Sequence, residues 1–193
     1  MASILHIALL FTVILPPAVA ATTNSTDFIL RNCAVTLYPH LCYTSLKPYA
    51  PAVHQSQLTL AIAAANVSLA RIKAASFQAA RLRRNCTGRL SEALSDCVDS
   101  LRTAADLTRQ SVEEIQKLGP EAKAGGPGFS WGVSNAQTWM SAALTNEDTC
   151  IDDFDGVSGG GGAGGGDGLI MPMRSTRRAL AHRNGFFVRI DDF

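Results

Sequence analysis

The sequence predicts an all-α fold, and three observations carry that prediction. Alanine is abundant, while alternating β-branched stretches are scarce. Apolar residues recur every three or four positions over three long segments, the period of an amphipathic helix. Glycine, proline and capping residues fall between those segments, where helices begin and end.

The chain opens MASILHIALLFTVILPPAVA, with an apolar run from Ile7 to Leu15 and a small-residue site at Ala18-Val19-Ala20. That layout predicts a secretory signal peptide over residues 1–20, cleaved after Ala20, although the first residues carry no Lys or Arg. The run is well short of the roughly 20 apolar residues of a membrane helix. No later segment is expected to span a bilayer, so no membrane contact is expected after cleavage. Export places the chain outside the cell, where cysteines pair. The sequons at Asn24, Asn66 and Asn85 are glycosylation candidates on the same route.

The remainder predicts one domain over residues 21–154, long enough to bury a core. A formal net charge of +1 gives no reason to expect a nucleic-acid partner. Charge is nevertheless uneven. Arg71, Lys73, Arg81, Arg83, Arg84 and Arg89 lie in a stretch, 61–91, without acids, and Glu147, Asp148, Asp152, Asp153 and Asp155 group together. Both sets read as solvated helix faces.

Two short helices are expected over residues 26–47. Thr26 is placed to cap a run through Phe28, Ile29, Cys33 and Leu37, and Pro39 to occupy the first position of a second piece ending at Ser45-Leu46. Cys33 and Cys42, with His40 between them, could supply three zinc ligands, but a closed structural site wants four. A redox pair would want C-x-x-C. In a secreted chain the C-x₈-C pair reads as a disulfide that pins the hairpin, which is too small for a core of its own.

The three long helices are expected at 56–84, 89–118 and 134–154. The first carries Leu58, Ile62, Ala65, Leu69 and Ile72 on one stripe. The second carries Leu90, Leu94, Cys97, Leu101, Ala105, Thr108, Val112 and Ile115, with Gly119-Pro120 as its stop. The third starts on a Ser134/Gln137 capping box and runs through Ala136, Met140, Ala143, Cys150 and Phe154, broken only by Glu147. Short connections would make neighbours antiparallel. Cys97 and Cys150 fall on apolar stripes, so they are paired, leaving Cys86 free; Cys86 with Cys150 is the competing pairing.

Residues Cys33 to Leu46 (CAVTLYPHLCYTSL), Ala93 to Cys97 (ALSDC) and Thr138 to Cys150 (TWMSAALTNEDTC) resemble the plant invertase and pectin methylesterase inhibitor family, most closely its pectin methylesterase inhibitors. The resemblance covers Phe28 to Phe154. It implies an up-and-down four-helix bundle preceded by a disulfide-pinned helical hairpin. The same two cysteine pairs are implied, with Cys86 as an extra. It further implies an apoplastic, cell-wall protein that inhibits pectin methylesterase by covering the active-site cleft, is not itself an enzyme and needs no cofactor or metal.

The chain departs from the family after Phe154. Residues 155–168 form a glycine-rich linker, nine of the thirteen residues from Gly156 to Gly168 being Gly. In the tail, 169–193, Pro172 interrupts any helix from Leu169, and Arg174 to Asn184 carries four arginines around the single large apolar Leu180. A fourth bundle helix there lacks the pattern of the other three, leaving an irregular basic tail or a degenerate helix. Either a diverged helix or a reading-frame change would produce such a tail, and the abrupt loss of period favours the second.

Other motifs carry less. Gly156-Val157-Ser158-Gly159-Gly160 matches the serine-hydrolase G-x-S-x-G, but no strand precedes it. A small hydrolase using Ser158 is the reading from another class, and a relic that has lost its fourth helix is a further one. Trp139 is expected in the core. Partner contacts are expected off the apolar stripes, at Asp106, Arg109, Gln110 and Glu113 on the second long helix and at Thr138, Ser141, Thr145 and Asn146 on the third. The alternative target is acid invertase, cell-wall or vacuolar. Inhibitors of that enzyme often carry a Pro-Lys-Phe element, which does not occur here. Carboxylates ordinarily titrate near pH 4, so an interface using the acidic group at 147–155 is expected to vary in binding between about pH 4 and 7.

Overall fold

The protein was analysed as a computed structural model that describes residues 17–124 and 128–154, with side chains at 24–119 and 128–154. The described residues are helical throughout: α1 (Pro17–Ala34), α2 (Pro39–Leu46), a 3₁₀ turn (Lys47–Tyr49), α3 (Ala50–Val53), α4 (Gln57–Arg83), α5 (Arg89–Ala124) and α6 (Gly128–Asp152). Most of the expected signal segment, the glycine-rich linker with Ser158, and the tail expected to hold a fourth helix lie outside the described residues.

The hairpin forms as its prolines and cysteines dictate. Pro39 sits in the first turn of α2, and the first bond of that helix runs from the Cys42 amide to the Tyr38 carbonyl, 3.1 Å. The Cys33–Cys42 disulfide spans 5.5 Å between Cα atoms. The Thr36 hydroxyl donates to the Cys33 carbonyl at 2.7 Å and closes the turn from within. Thr26 does not begin the first helix. α1 starts at Pro17, because Ala18 to Ala21 are helix formers with no breaker before Thr26. The expected cleavage point after Ala20 therefore lies in the first turn of α1. Leu37 lies beyond the end of α1 and is exposed.

The hairpin leans on the long helices instead of standing alone. Ile29, Cys33, Leu46 and Val53 are buried in one cluster with Leu60 of α4, Ile115 of α5 and Met140 of α6. Polar contacts fix its position: Gln57 Nε2 donates to Asn32 Oδ1 at 3.0 Å, and Arg71 Nη2 to Ser45 Oγ at 2.8 Å. His54 (φ 45°) and Gln55 (φ 59°) turn the chain into α4 through the left-handed region, at a cost of about 1–2 kcal/mol per residue. Ser56 then caps α4, its Oγ accepting from the Thr59 amide at 3.2 Å.

On α4 the buried residues are Leu60, Ala61, Ala65, Ser68, Ile72, Ala75 and Ala79, mostly small ones. Ala65 and Ile72 are buried as expected, whereas Leu58, Ile62 and Leu69 are half-buried. Small side chains let the α4 and α5 backbones approach, and Leu58, Ile62 and Leu69 lie at the flanks. By length and composition alone, α4 would pass for a bilayer-crossing helix, contrary to the expectation that no later segment would. In the fold it packs on α5 and beneath the hairpin.

The α4–α5 connection is short and turns on Gly88, whose φ of 62° suits glycine. α5 buries all of its expected stripe except Leu90, which is half-buried. It does not stop at Gly119-Pro120 but continues to Ala124. Gly119 takes no left-handed φ, and packing of Leu118 against α6 sustains the helix past it. α6 likewise begins at Gly128, not Ser134, because Val133 is buried and the half-buried Phe129 packs on the same cluster ahead of the capping box.

α5 and α6 are antiparallel and tied at three levels. Near the hairpin, Gly132 meets Leu118 so closely that an added Cβ would stand 2.5 Å from Leu118 Cδ2. At mid-length the Ser111 hydroxyl donates to the Ala136 carbonyl, 2.8 Å. At the far end the Cys97–Cys150 disulfide joins them inside a second cluster that includes Leu94, Leu101, Ile72 and Phe154. Ala136, Met140, Ala143, Glu147, Cys150 and Phe154 are all buried, so the expected α6 stripe holds, its glutamate included.

Candidate partner interface

With the apolar stripes of α5 and α6 turned inward, their outer faces are what the molecule offers to a partner. On α5, Asp106, Arg109, Gln110 and Glu113 are all exposed. Asp106 and Arg109 form an i,i+3 ion pair, which neutralises both. Farther along, Lys117 donates to Glu114 at 2.8 Å, and that bond and charge hold the Lys117 ammonium above its ordinary pKa.

On α6, Thr138, Ser141 and Thr145 are exposed and Asn146 is half-buried. The spacing of the first three, three and then four residues, puts them on one side of the helix. Three of the four candidates donate to their own helix: Thr138 to the Ser134 carbonyl at 2.9 Å, Thr145 to the Ser141 carbonyl at 3.2 Å, and Asn146 Nδ2 to the Ala142 carbonyl at 2.9 Å. These bonds engage the hydroxyl donors of Thr138 and Thr145 and leave their oxygens free to accept further bonds.

The aromatic residues change the picture. Trp139 is not a core residue: it retains 36% of its surface. It lies seven residues from Gly132 and eleven from Cys150, which places it at the edge of the stripe that meets α5. Trp131, a little over two turns earlier on α6, is 72% exposed and was absent from the expected contacts. Once α6 begins at Gly128, the helical neighbours of Trp131 at three and four residues are glycine, serine and asparagine, so Trp131 faces outward. Exposed tryptophans on a rigid helix are the kind of side chain that dominates protein–protein binding energy.

The acidic group does not form one surface. Glu147 is buried, Asp148 and Asp153 are half-buried, Asp152 is exposed, and Asp155 lies outside the described residues. Burial, then the charges of Asp96 and Asp152, push the Asp153 carboxyl above its ordinary pKa. Cys86 is a free, half-buried thiol packed against the second cluster. The described sequons Asn24, Asn66 and Asn85 are exposed. Among the described residues no group of three or more His, Cys, Asp or Glu could hold a metal.

The sequence model described as plant invertase/pectin methylesterase inhibitor matches residues 27–183. Similar proteins include pectinesterase inhibitor 9 of Arabidopsis thaliana, 35% identical over 81% of this chain and 79% of that protein. A 21 kDa protein of Daucus carota is 35% identical over 90% of each chain. Pectinesterase inhibitor 11 of Arabidopsis thaliana is 35% identical over 89% of this chain and 86% of its own. Among solved structures, a mutant form of a pectin methylesterase inhibitor from Arabidopsis shares the fold, with a TM-score of 0.61, 17% identity, and coverage of 81% of this chain and 92% of that one.

Proposed function

The chain belongs to the plant invertase/pectin methylesterase inhibitor family, a non-enzymatic inhibitor type whose target is a protein, and from that premise we propose that it inhibits a pectin methylesterase in the cell wall. The outer face of α5 and α6 is the surface that lies across the active-site cleft of the esterase. The observation that carries this surface is the pair of exposed tryptophans, Trp131 and Trp139, on a helix locked to its neighbour at three levels. A rigid face with aromatic anchors binds without first being ordered, which spares the entropy that weakens flexible partners. The neutralised Asp106–Arg109 pair and the acceptor strip at Thr138 and Thr145 form the polar rim around those anchors. The names of the relatives support the esterase over acid invertase as target.

The test is a titration of purified residues 21–193 against a plant pectin methylesterase, with acid invertase in parallel. Stoichiometric loss of esterase activity is expected. Loss of invertase activity alone would reassign the target, and folded protein that inhibits neither enzyme would remove the proposal.

A further inference from the structure

The cations of α5 and those of α4 are treated differently by the fold. On α5, Arg102 pairs with Asp99 at 3.0 Å, Arg109 with Asp106, and Lys117 with Glu114 at 2.8 Å. α4 has no acidic residue between Gln57 and Arg83, and among the described residues no carboxylate pairs with Lys73, Arg81 or Arg84. Lys73, Phe77, Arg81 and Arg84 are all exposed and recur at spacings of four, four and three, so they share one stripe about 16 Å long. Phe77, between the cations, keeps 65% of its surface in the open.

This stripe borders a shallow groove of about 270 Å³ between α4 and α5. Its lining is apolar at Leu101, Ala80, Ala105 and Phe77, with Lys73 contributed by α4 and Arg102 by α5. Arg102 gives one of its five N–H groups to Asp99 and keeps the others for a ligand. The groove itself is lined by the cations Lys73 and Arg102 around apolar residues, and Arg81 and Arg84 extend the positive stripe beyond it along α4. A compact anion would leave the apolar lining and the length unused, and a lipid surface would find no broad apolar face. A chain of sugar rings with a carboxylate on each ring matches every feature: C–H faces lie on Phe77 and the rest of the apolar lining, while the carboxylates meet the cations.

We propose that the groove between α4 and α5 binds a polyuronate chain, the de-esterified polymer that a pectin methylesterase produces. The choice of uronate rests on the proposed target; the preference for an anionic chain of rings rests on the groove alone. Bound there, the inhibitor is held where its target has already acted. The α6 tryptophans lie outside this groove, so the chain can hold polymer and enzyme together.

The experiment is electrophoresis of the full mature protein in gels containing polygalacturonate, the same polymer fully methyl-esterified, or polyglutamate, at several salt concentrations. Retardation by polygalacturonate that fades with salt is expected, with none by the esterified polymer. Substituting Lys73→Gln together with Arg81→Gln should weaken retention about tenfold. Phe77→Ala should weaken retention by polygalacturonate and leave any retention by polyglutamate unchanged. No retardation of the wild type, equal retardation by the esterified polymer or by polyglutamate, or variants that bind as the wild type would each overturn the proposal. These side chains are exposed, and an unchanged melting curve confirms that the variants fold. Esterase inhibition measured on the same samples fails or succeeds independently of polymer binding, so the two readings are tested apart.

Discussion

Ser111 on α5 donates its hydroxyl hydrogen to the carbonyl of Ala136 on α6, and both residues are fully buried. Three residues earlier on α5, Thr108 is equally buried, yet its Oγ1 has no hydrogen-bond partner. The same helix thus carries one buried hydroxyl that is used and one that is not. Replacing Thr108 with Val keeps the shape and removes the unsatisfied group, so a gain of about 1 kcal/mol is expected. Ser111→Ala is expected to lose about 1 kcal/mol. Urea midpoints of the two variants should move in opposite directions.

The two disulfides close loops of very different length, with sequence separations of 9 and 53. Loop entropy assigns about 2.7 kcal/mol to Cys33–Cys42 and about 4 kcal/mol to Cys97–Cys150. Paired alanine substitutions at Cys97 and Cys150 should therefore lower the guanidinium midpoint more than those at Cys33 and Cys42. The reverse order would mean that the hairpin's docking, not the bundle's tie, limits stability.

At the proposed enzyme-facing surface, Trp131→Ala and Trp139→Ala are each expected to weaken inhibition by at least about 2 kcal/mol, roughly thirtyfold. Trp131 is so exposed that its removal should leave the melting temperature unchanged. An inhibition constant equal to the wild type for both variants would move the interface elsewhere.

Asp153 gives a pH dependence with a definite sign. Its carboxyl is raised by burial and by Asp96 and Asp152, so the folded chain holds this proton more tightly than the unfolded chain. The favourable contribution is complete below the ordinary carboxylate value and is lost as pH rises through the raised one. Asp153→Asn should therefore stabilise the protein at pH 7 and leave it unchanged near pH 3. At this half-exposed position the gain stays within about 0.5 kcal/mol. Thermal melts at the two pH values check it.

Sequence patterning resolved some elements and missed others for identifiable reasons. The α5 and α6 stripes were legible because large apolar residues, including both bridging cysteines, mark the buried side. The α4 stripe was read correctly at Ala65 and Ile72 and misread at Leu58, Ile62 and Leu69, because four of the seven buried residues there are alanines, which carry almost no amphipathic signal. The stop at Gly119-Pro120 and the start at Ser134 were local signals overruled by packing between Leu118, Gly132 and Val133, which the chain brings together only in three dimensions. At the candidate interface the polar positions were found from their place off the stripe. Trp139 was assigned inward because an aromatic ring on a helix usually is, and Trp131 was missed because the helix was begun too late.

Cys86 bears on how the protein matures. Its thiol packs beside the cluster that contains Cys97 and Cys150, and it lies only eleven positions before Cys97 in the chain. Ring closure over so short a span is entropically easier than over the 53 residues of the native bridge. When the reduced chain is oxidised, Cys86 is therefore expected to compete for Cys97 before α6 has docked. The native bond then has to be reached by thiol exchange, and a chain with serine at position 86 should mature with fewer mispaired forms.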